Sequence, residues 1–134
     1  MIIADSDVLI DALRGKDPGK GRIAIELQTG RLATTSVSVF ELRSGAKTLR
    51  ERATVDALLD ALTVLPFDAA AADAAASIRR ELESSGKGLA MADYLIAGIC
   101  VSRSGILLTR NRAHFERVPG LLLSGRWRSD DAHD

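Results

Sequence analysis

The chain has 134 residues, 46% of them hydrophobic, and its 18 Lys and Arg balance 18 Asp and Glu. That length suits one domain able to bury about two thirds of its unfolded surface, and the composition excludes a disordered or fibrous chain. Zero net charge excludes a global pull towards nucleic acid, the single Cys100 excludes a disulfide framework or cysteine metal site, and no window reaches the roughly 18 apolar residues of a membrane span.

Residues 1–4 form an apolar run that ends at Asp5-Ser6-Asp7 and leads into Val8, Leu9, Ile10 and Leu13 at helical spacing, which predicts a buried strand feeding a helix. Asp17-Pro18-Gly19 breaks the chain, and a second helix is expected over 23–28, closed by Gly30. The Thr- and Val-rich stretch 32–37 predicts a strand, and Val39, Phe40, Leu42 and Ala46 continue as a helix. A helix over 54–62, a brief strand over 64–67 and an alanine-rich helix over 69–82 follow; Asp68 is the N-cap of the last, and Gly86 and Gly88 end it. Residues 91–101 predict an apolar helix with Cys100 as a buried core thiol. A buried strand at 106–109, a short helix at 112–117, a last strand at 121–123 and a frayed polar tail at 128–134 complete a single domain, 1–134.

Strands alternating with helices imply an α/β fold: a parallel sheet of four to five strands, helices on both faces, right-handed crossovers. Ligands in such folds gather at the carboxyl ends of the strands, near the point where strand order reverses. Asp5 and Thr109 both occupy strand ends. With no leader or membrane segment, the expectation is a cytoplasmic protein.

Three acids lie inside segments built to be buried: Asp5 after the apolar start, Glu41 within Val-Phe-Glu-Leu, and Asp93 within Leu-Ala-Met-Ala-Asp-Tyr-Leu-Ile-Ala. An unpaired carboxylate in such a place costs several kcal/mol. Arg43 is the only basic residue in those runs, so a shared divalent cation is the simplest partner. If the first and fourth strands are neighbours, Asp5 meets the turn Thr109-Arg110-Asn111, Asp93 arrives from the preceding helix and Glu41 from another. Oxygen ligands alone suit magnesium or manganese, which activate water and neutralise phosphate charge in metal-dependent nucleases. Each acid also has a plainer role: Asp7 and Asp93 suit helix N-termini, worth about 0.3–1 kcal/mol, and Glu41 suits an arginine partner. Their joint placement at the mouths of three elements singles the site out.

The run Ile2-Ile3-Ala4-Asp5-Ser6-Asp7-Val8-Leu9-Ile10, the segment Ser38-Val39-Phe40-Glu41-Leu42, the segment Ala92-Asp93-Tyr94-Leu95-Ile96-Ala97 and the stretch from Thr109-Arg110-Asn111 to Pro119-Gly120-Leu121 together resemble PIN-domain ribonucleases of the VapC toxin type. The resemblance spans essentially the whole chain and implies a three-layer PIN-like fold. It implies a Mg2+- or Mn2+-dependent endoribonuclease, a homodimer, that cuts structured RNA such as tRNA or rRNA and is inhibited by a VapB-like antitoxin bound near the cleft. Asp5, Glu41 and Asp93 match the family's acidic positions. Asn111 stands where relatives carry Asn or Asp, and His114 replaces the acid that often precedes the Phe, which puts a second metal in question. Asp7 is a further candidate ligand, His114 a candidate for metal or phosphate, and Ser6 and Thr109 are expected to hydrogen-bond the acids or a metal-bound water.

Six arginines (103, 110, 112, 117, 126 and 128) against the single acid Glu116 make the stretch 103–128 basic. Arg110 and Arg112 are expected to grip phosphates beside the cut, with Arg126, Trp127 and Arg128 adding backbone or stacking contacts. The alternatives are a solvated surface or arginines that bind the antitoxin.

Three other readings compete. Asp5-x-Asp7 after a strand is similar to haloacid-dehalogenase-type phosphatases, but Val8-Leu9 replaces the small residue and Thr, and Lys87 is the last lysine. A receiver-like module needs a lysine at the end of its last strand, which is missing for the same reason. A catalytically inactive PIN fold that only binds a partner conflicts with the intact Asp5, Glu41 and Asp93.

Overall fold

A computed structural model describes residues 1–125. Five strands, β1 (Ile2–Ala4), β2 (Leu32–Thr35), β3 (Thr63–Leu65), β4 (Ile106–Leu108) and β5 (Leu122–Leu123), form one sheet in the order β3-β2-β1-β4-β5. Every neighbouring pair is parallel. The direction of winding reverses between β1 and β4, the place in such a sheet where ligands bind.

β1 and β2 are buried at every position, so β1 reads as a continuous apolar run, while the buried hydroxyls of Thr34 and Thr35 in β2 are satisfied by hydrogen bonds to the Ala4 carbonyl and from the Ser38 N–H. Ile3, Ala33, Leu65 and Leu107 point into a core shared with α5 (Ala69–Ser84), α6 (Met91–Ser102) and α7 (Arg112–Phe115). Ile2, Ala4, Leu32 and Leu108 face the opposite core, shared with α1 (Ser6–Leu13), α2 (Gly19–Thr29), α3 (Ser36–Gly45) and α4 (Leu49–Asp60). Helices therefore cover both faces, the three-layer arrangement expected. α5 and α6 approach closely because Gly98 has no side chain; a Cβ there would lie 2.6 Å from the Ala71 carbonyl oxygen and 2.7 Å from Ala75 Cβ.

Several boundaries differ from the expected ones, each for a local reason. The second strand stops at Thr35 instead of continuing to Val37, because the Thr35 hydroxyl accepts from the Ser38 N–H and caps α3. α4 begins at Leu49, five residues before the expected start: Thr48 and Glu51 form a reciprocal capping box. The break at Pro18 is the start of α2, and Gly30 closes it in the left-handed conformation, φ 69°. Asp68 caps α5 as expected, accepting from the Ala71 N–H at 2.9 Å.

Cys100 is fully buried, and burial pushes its thiol up to about 12, leaving an unreactive core residue. Among the described residues no helix is long and apolar enough to cross a membrane.

Candidate active site

Ala4 pairs with Leu108 in the β1–β4 register, so the residues that follow, Asp5 and Thr109, leave the sheet side by side. The Asp5 N–H donates to the Leu108 carbonyl at 2.9 Å. Asp5 is the N-cap of α1; its Oδ1 accepts from the Ser6 N–H at 2.8 Å and its Oδ2 from the Thr109 hydroxyl at 2.8 Å. Helix-capping acids are normally favoured as anions, yet the Asp5 carboxyl is raised to about 7. Burial is the largest cause and the Asp7 charge the next, together outweighing both hydrogen bonds.

Asp7, in the first turn of α1, accepts from the Arg110 N–H at 3.1 Å, and the Thr109 hydroxyl lies 3.4 Å from the same Oδ2. Its other oxygen, Oδ1, is buried without a hydrogen-bond partner. Burial raises the Asp7 carboxyl, against the hydrogen bond and charge of Arg110. Glu41, half-buried on α3, accepts from the Ser6 hydroxyl at 3.0 Å rather than pairing with an arginine; Arg43 pairs with Asp56 instead.

Asp93 stands half-buried in the first turn of α6. Burial raises its carboxyl, the His114 charge lowers it, and the charges of Glu41 and Asp7 raise it again. Three elements, the start of α1, α3 and α6, therefore bring acids within each other's fields, and the β4–α7 turn brings Thr109, Arg110 and Asn111 beside them. In that turn Asn111 donates its N–H to the Thr109 hydroxyl at 3.0 Å, and its side-chain amide lies 2.9 Å from His114 Nδ1.

The two arginines beside Asn111 differ in their surroundings. Arg112 Nη1 donates to the Ser124 carbonyl, tying α7 to the end of β5, and its side chain is mostly buried. Arg110 keeps 52% of its side chain exposed and pairs through Nε with Asp11 at 2.9 Å. Asp11 is the site neighbour that sequence reading missed. The available signal was its spacing, four residues after Asp7 on one helix face. Arg126, Trp127 and Arg128, expected to touch RNA, and the expected frayed tail at 128–134 lie outside the described residues.

A hard divalent cation fits these residues. Its donors would be carboxylates, an amide and hydroxyls. The unpartnered Asp7 Oδ1 and the raised carboxyls of Asp5, Asp7 and Asp93 are the strains such an ion relieves. Among the described residues, no three Asp, Glu, His or Cys are drawn close enough to enclose an ion by themselves.

Comparison with known proteins gives a consistent picture. The PIN domain model matches residues 2–121. The chain is 35% identical over 121 residues to the tRNA(fMet)-specific endonuclease VapC of Shigella flexneri, covering 87% of this chain and 91% of the relative. It is 36% identical over 115 residues to ribonuclease VapC10 of Mycobacterium tuberculosis, covering 86% of each. Among solved structures it resembles VapBC2 from Rickettsia felis bound to a promoter DNA fragment, with TM-score 0.86 and 25% identity over 96% of this chain and 100% of that one. DNA-bound VapBC from Salmonella typhimurium superposes with TM-score 0.83 and 30% identity, covering 92% of this chain and 96% of that one.

Proposed function

The chain belongs to the PIN domain family, in its VapC branch, and we propose that it is a metal-dependent endoribonuclease, the toxin half of a toxin–antitoxin pair. The observation that carries this reading is Asp5: a buried carboxyl raised to about 7 at the sheet's switch point, within the fields of Asp7 and Glu41. Asp7 and Asp93, at the starts of α1 and α6, are raised as well, mainly by burial.

Asp5, Glu41 and Asp93 would hold Mg2+ or Mn2+, with Asp7, Asn111 and His114 as further candidate ligands. A cation bound there supplies an acidified water and neutralises phosphate charge. Thr109 fixes Asp5 through Oδ2, and Ser6 ties Glu41 on α3 to α1, so hydrogen bonds from neighbouring hydroxyls restrict both carboxylates. In-line attack of water on the phosphodiester leaves a 5′-phosphate and a 3′-hydroxyl. Arg110, half-exposed at the mouth, is the better placed of the two arginines for a phosphate.

The substrate class is structured RNA, tRNA or rRNA, in keeping with the relative named for tRNA(fMet). The partner is a VapB-like antitoxin, as in the VapBC complexes of similar fold. A groove of about 330 Å³ between α1, α3 and α4 suits it: Ile10, Leu13, Leu42 and Val55 form an apolar lining, Arg14 and Arg50 add charge, and Glu41 borders it. Phe40 and Met91, 68% and 54% exposed beside Glu41 and Asp93, offer further apolar surface for the antitoxin or a second copy in a homodimer. We place the protein in the cytoplasm, where its RNA lies.

The decisive experiment incubates total cellular RNA with the purified, antitoxin-free protein in magnesium, manganese or chelator, beside Asp5→Ala and Asp93→Ala. Discrete metal-dependent cuts that vanish in both variants support the nuclease. A folded protein that cuts nothing with any metal leaves a PIN fold that only binds.

A further inference from the structure

Asp11 is an acid at 9% exposure whose carboxylate faces Arg110 and not solvent. The start of α2 closes directly over it: a Cβ on Gly19 would lie 2.9 Å from Asp11 Cβ and 3.3 Å from the Val8 carbonyl oxygen. That lid of backbone limits where the Asp11 side chain can turn. Asp7 and Asp11 are one helical turn apart, and Arg110 meets both, its N–H 3.1 Å from Asp7 Oδ2 and its Nε 2.9 Å from Asp11 Oδ2.

We propose that Asp11 is a positioning residue of the active site: by anchoring the Arg110 guanidinium on α1, it holds the 109–111 turn against Asp5 and Asp7. The inference rests on the nuclease reading above and concerns how its site is kept in shape. Thr109, Arg110 and Asn111 are consecutive, and each makes one bond that fixes the turn: hydroxyl to Asp5, N–H to Asp7, N–H to Thr109. The Thr109 hydroxyl reaches Asp5 and, at 3.4 Å, Asp7 in the first turn of α1; among the described residues the Arg110–Asp11 pair is the side-chain contact that carries this turn one helical turn further along α1. A shift of the turn by an ångström would break the Asp5 and Asp7 bonds together, and both are candidate ligands. The pair also keeps the guanidinium on Asp11, and the buried Asp7 Oδ1 is left without a hydrogen-bond partner.

The test is calorimetric titration of the full chain with Mn2+ for the parent, Asp11→Asn, Asp11→Glu, Arg110→Gln and the Asp11→Asn/Arg110→Gln double variant, each checked for folding by circular dichroism. Asp11→Asn is expected to weaken Mn2+ binding about 10- to 100-fold, the usual effect of removing an outer support, and to lower kcat more than it raises KM for RNA. Asp11→Glu should recover most of the loss, and the double variant should be no worse than the poorer single one. Should Asp11→Asn not fold, Arg110→Gln gives the same reading. A folded Asp11→Asn with the parent's Mn2+ affinity, or losses that simply add in the double variant, overturns the inference alone. A folded parent that binds no Mn2+ overturns the nuclease reading and this inference with it.

Discussion

The Thr109 hydroxyl donates to Asp5 Oδ2 across 2.8 Å although 104 positions separate the two residues in the chain. It also accepts the Asn111 N–H, so one hydroxyl sets both the orientation of the buried acid and the path of the turn. Thr109→Val keeps the shape and removes the bonds. We expect a loss of about 1–3 kcal/mol in urea unfolding, because a buried acceptor and a backbone donor lose their partner. RNA cleavage should fall about 10- to 100-fold, and Thr109→Ser should stay near the parent in both measurements.

The raised Asp5 carboxyl makes the metal-free protein sensitive to pH in a defined direction. Its folded value is about 7 against 3.8 for the free side chain, so between those values the folded state holds a proton that the unfolded state has released. Stability from this group is present below about pH 4 and is lost as pH rises through 7, up to about 4 kcal/mol in all. Asp7 and Asp93, also raised, act in the same direction. Thermal melts in chelator should therefore show a falling Tm from pH 5 to pH 8, and Asp5→Asn should flatten the slope. Mn2+ should bind more tightly as pH rises over the same range and release protons as it does so. A Tm that rises towards pH 8 in chelator would contradict the burial of an uncompensated acid.

Gly98→Ala tests the α5–α6 contact that carries Asp93. The new methyl would sit 2.6 Å from the Ala71 carbonyl oxygen, and two helix backbones cannot yield as a flexible side chain would. The expected cost is about 1–3 kcal/mol in denaturant unfolding. Because α6 must shift, cleavage should fall even in the fraction that remains folded.

Arg110 and Arg112 should separate in their effects although only Asn111 stands between them. Arg112 donates to the carbonyl of Ser124, a residue at 5% exposure, so Arg112→Gln should lower stability by about 1–3 kcal/mol. Arg110→Gln should instead weaken RNA binding in chelator and reduce its salt dependence by about one phosphate contact. Charge reversal at Arg112, one of the two arginines expected to grip phosphates, would mix both effects. Equal salt slopes for the parent and Arg110→Gln would remove Arg110 from the RNA path.

What the sequence by itself determined is local in origin. Apolar runs and helical spacing set the alternation of strands and helices, Asp68 and Gly30 marked helix ends, and Asp5, Glu41 and Asp93 stood out because acids inside apolar runs need a reason. The residues around Thr48 and Thr35 were equally local, yet the capping box and the hydroxyl cap there were not read, and two boundaries moved.

Only the tertiary structure decided which polar groups meet. The β1–β4 register sets Thr109 on Asp5, α1 carries Ser6 to Glu41, and the packing of α2 through Gly19 confines Asp11 to Arg110. It also separated two arginines of one short run, burying Arg112 against Ser124 and leaving Arg110 half in solvent. Hydrophobic pattern is a property of neighbours along the chain, so it survives in the sequence. Hydrogen bonds and ion pairs between distant segments depend on sheet register and helix docking to within an ångström, and those exist only once the cores on both faces have closed.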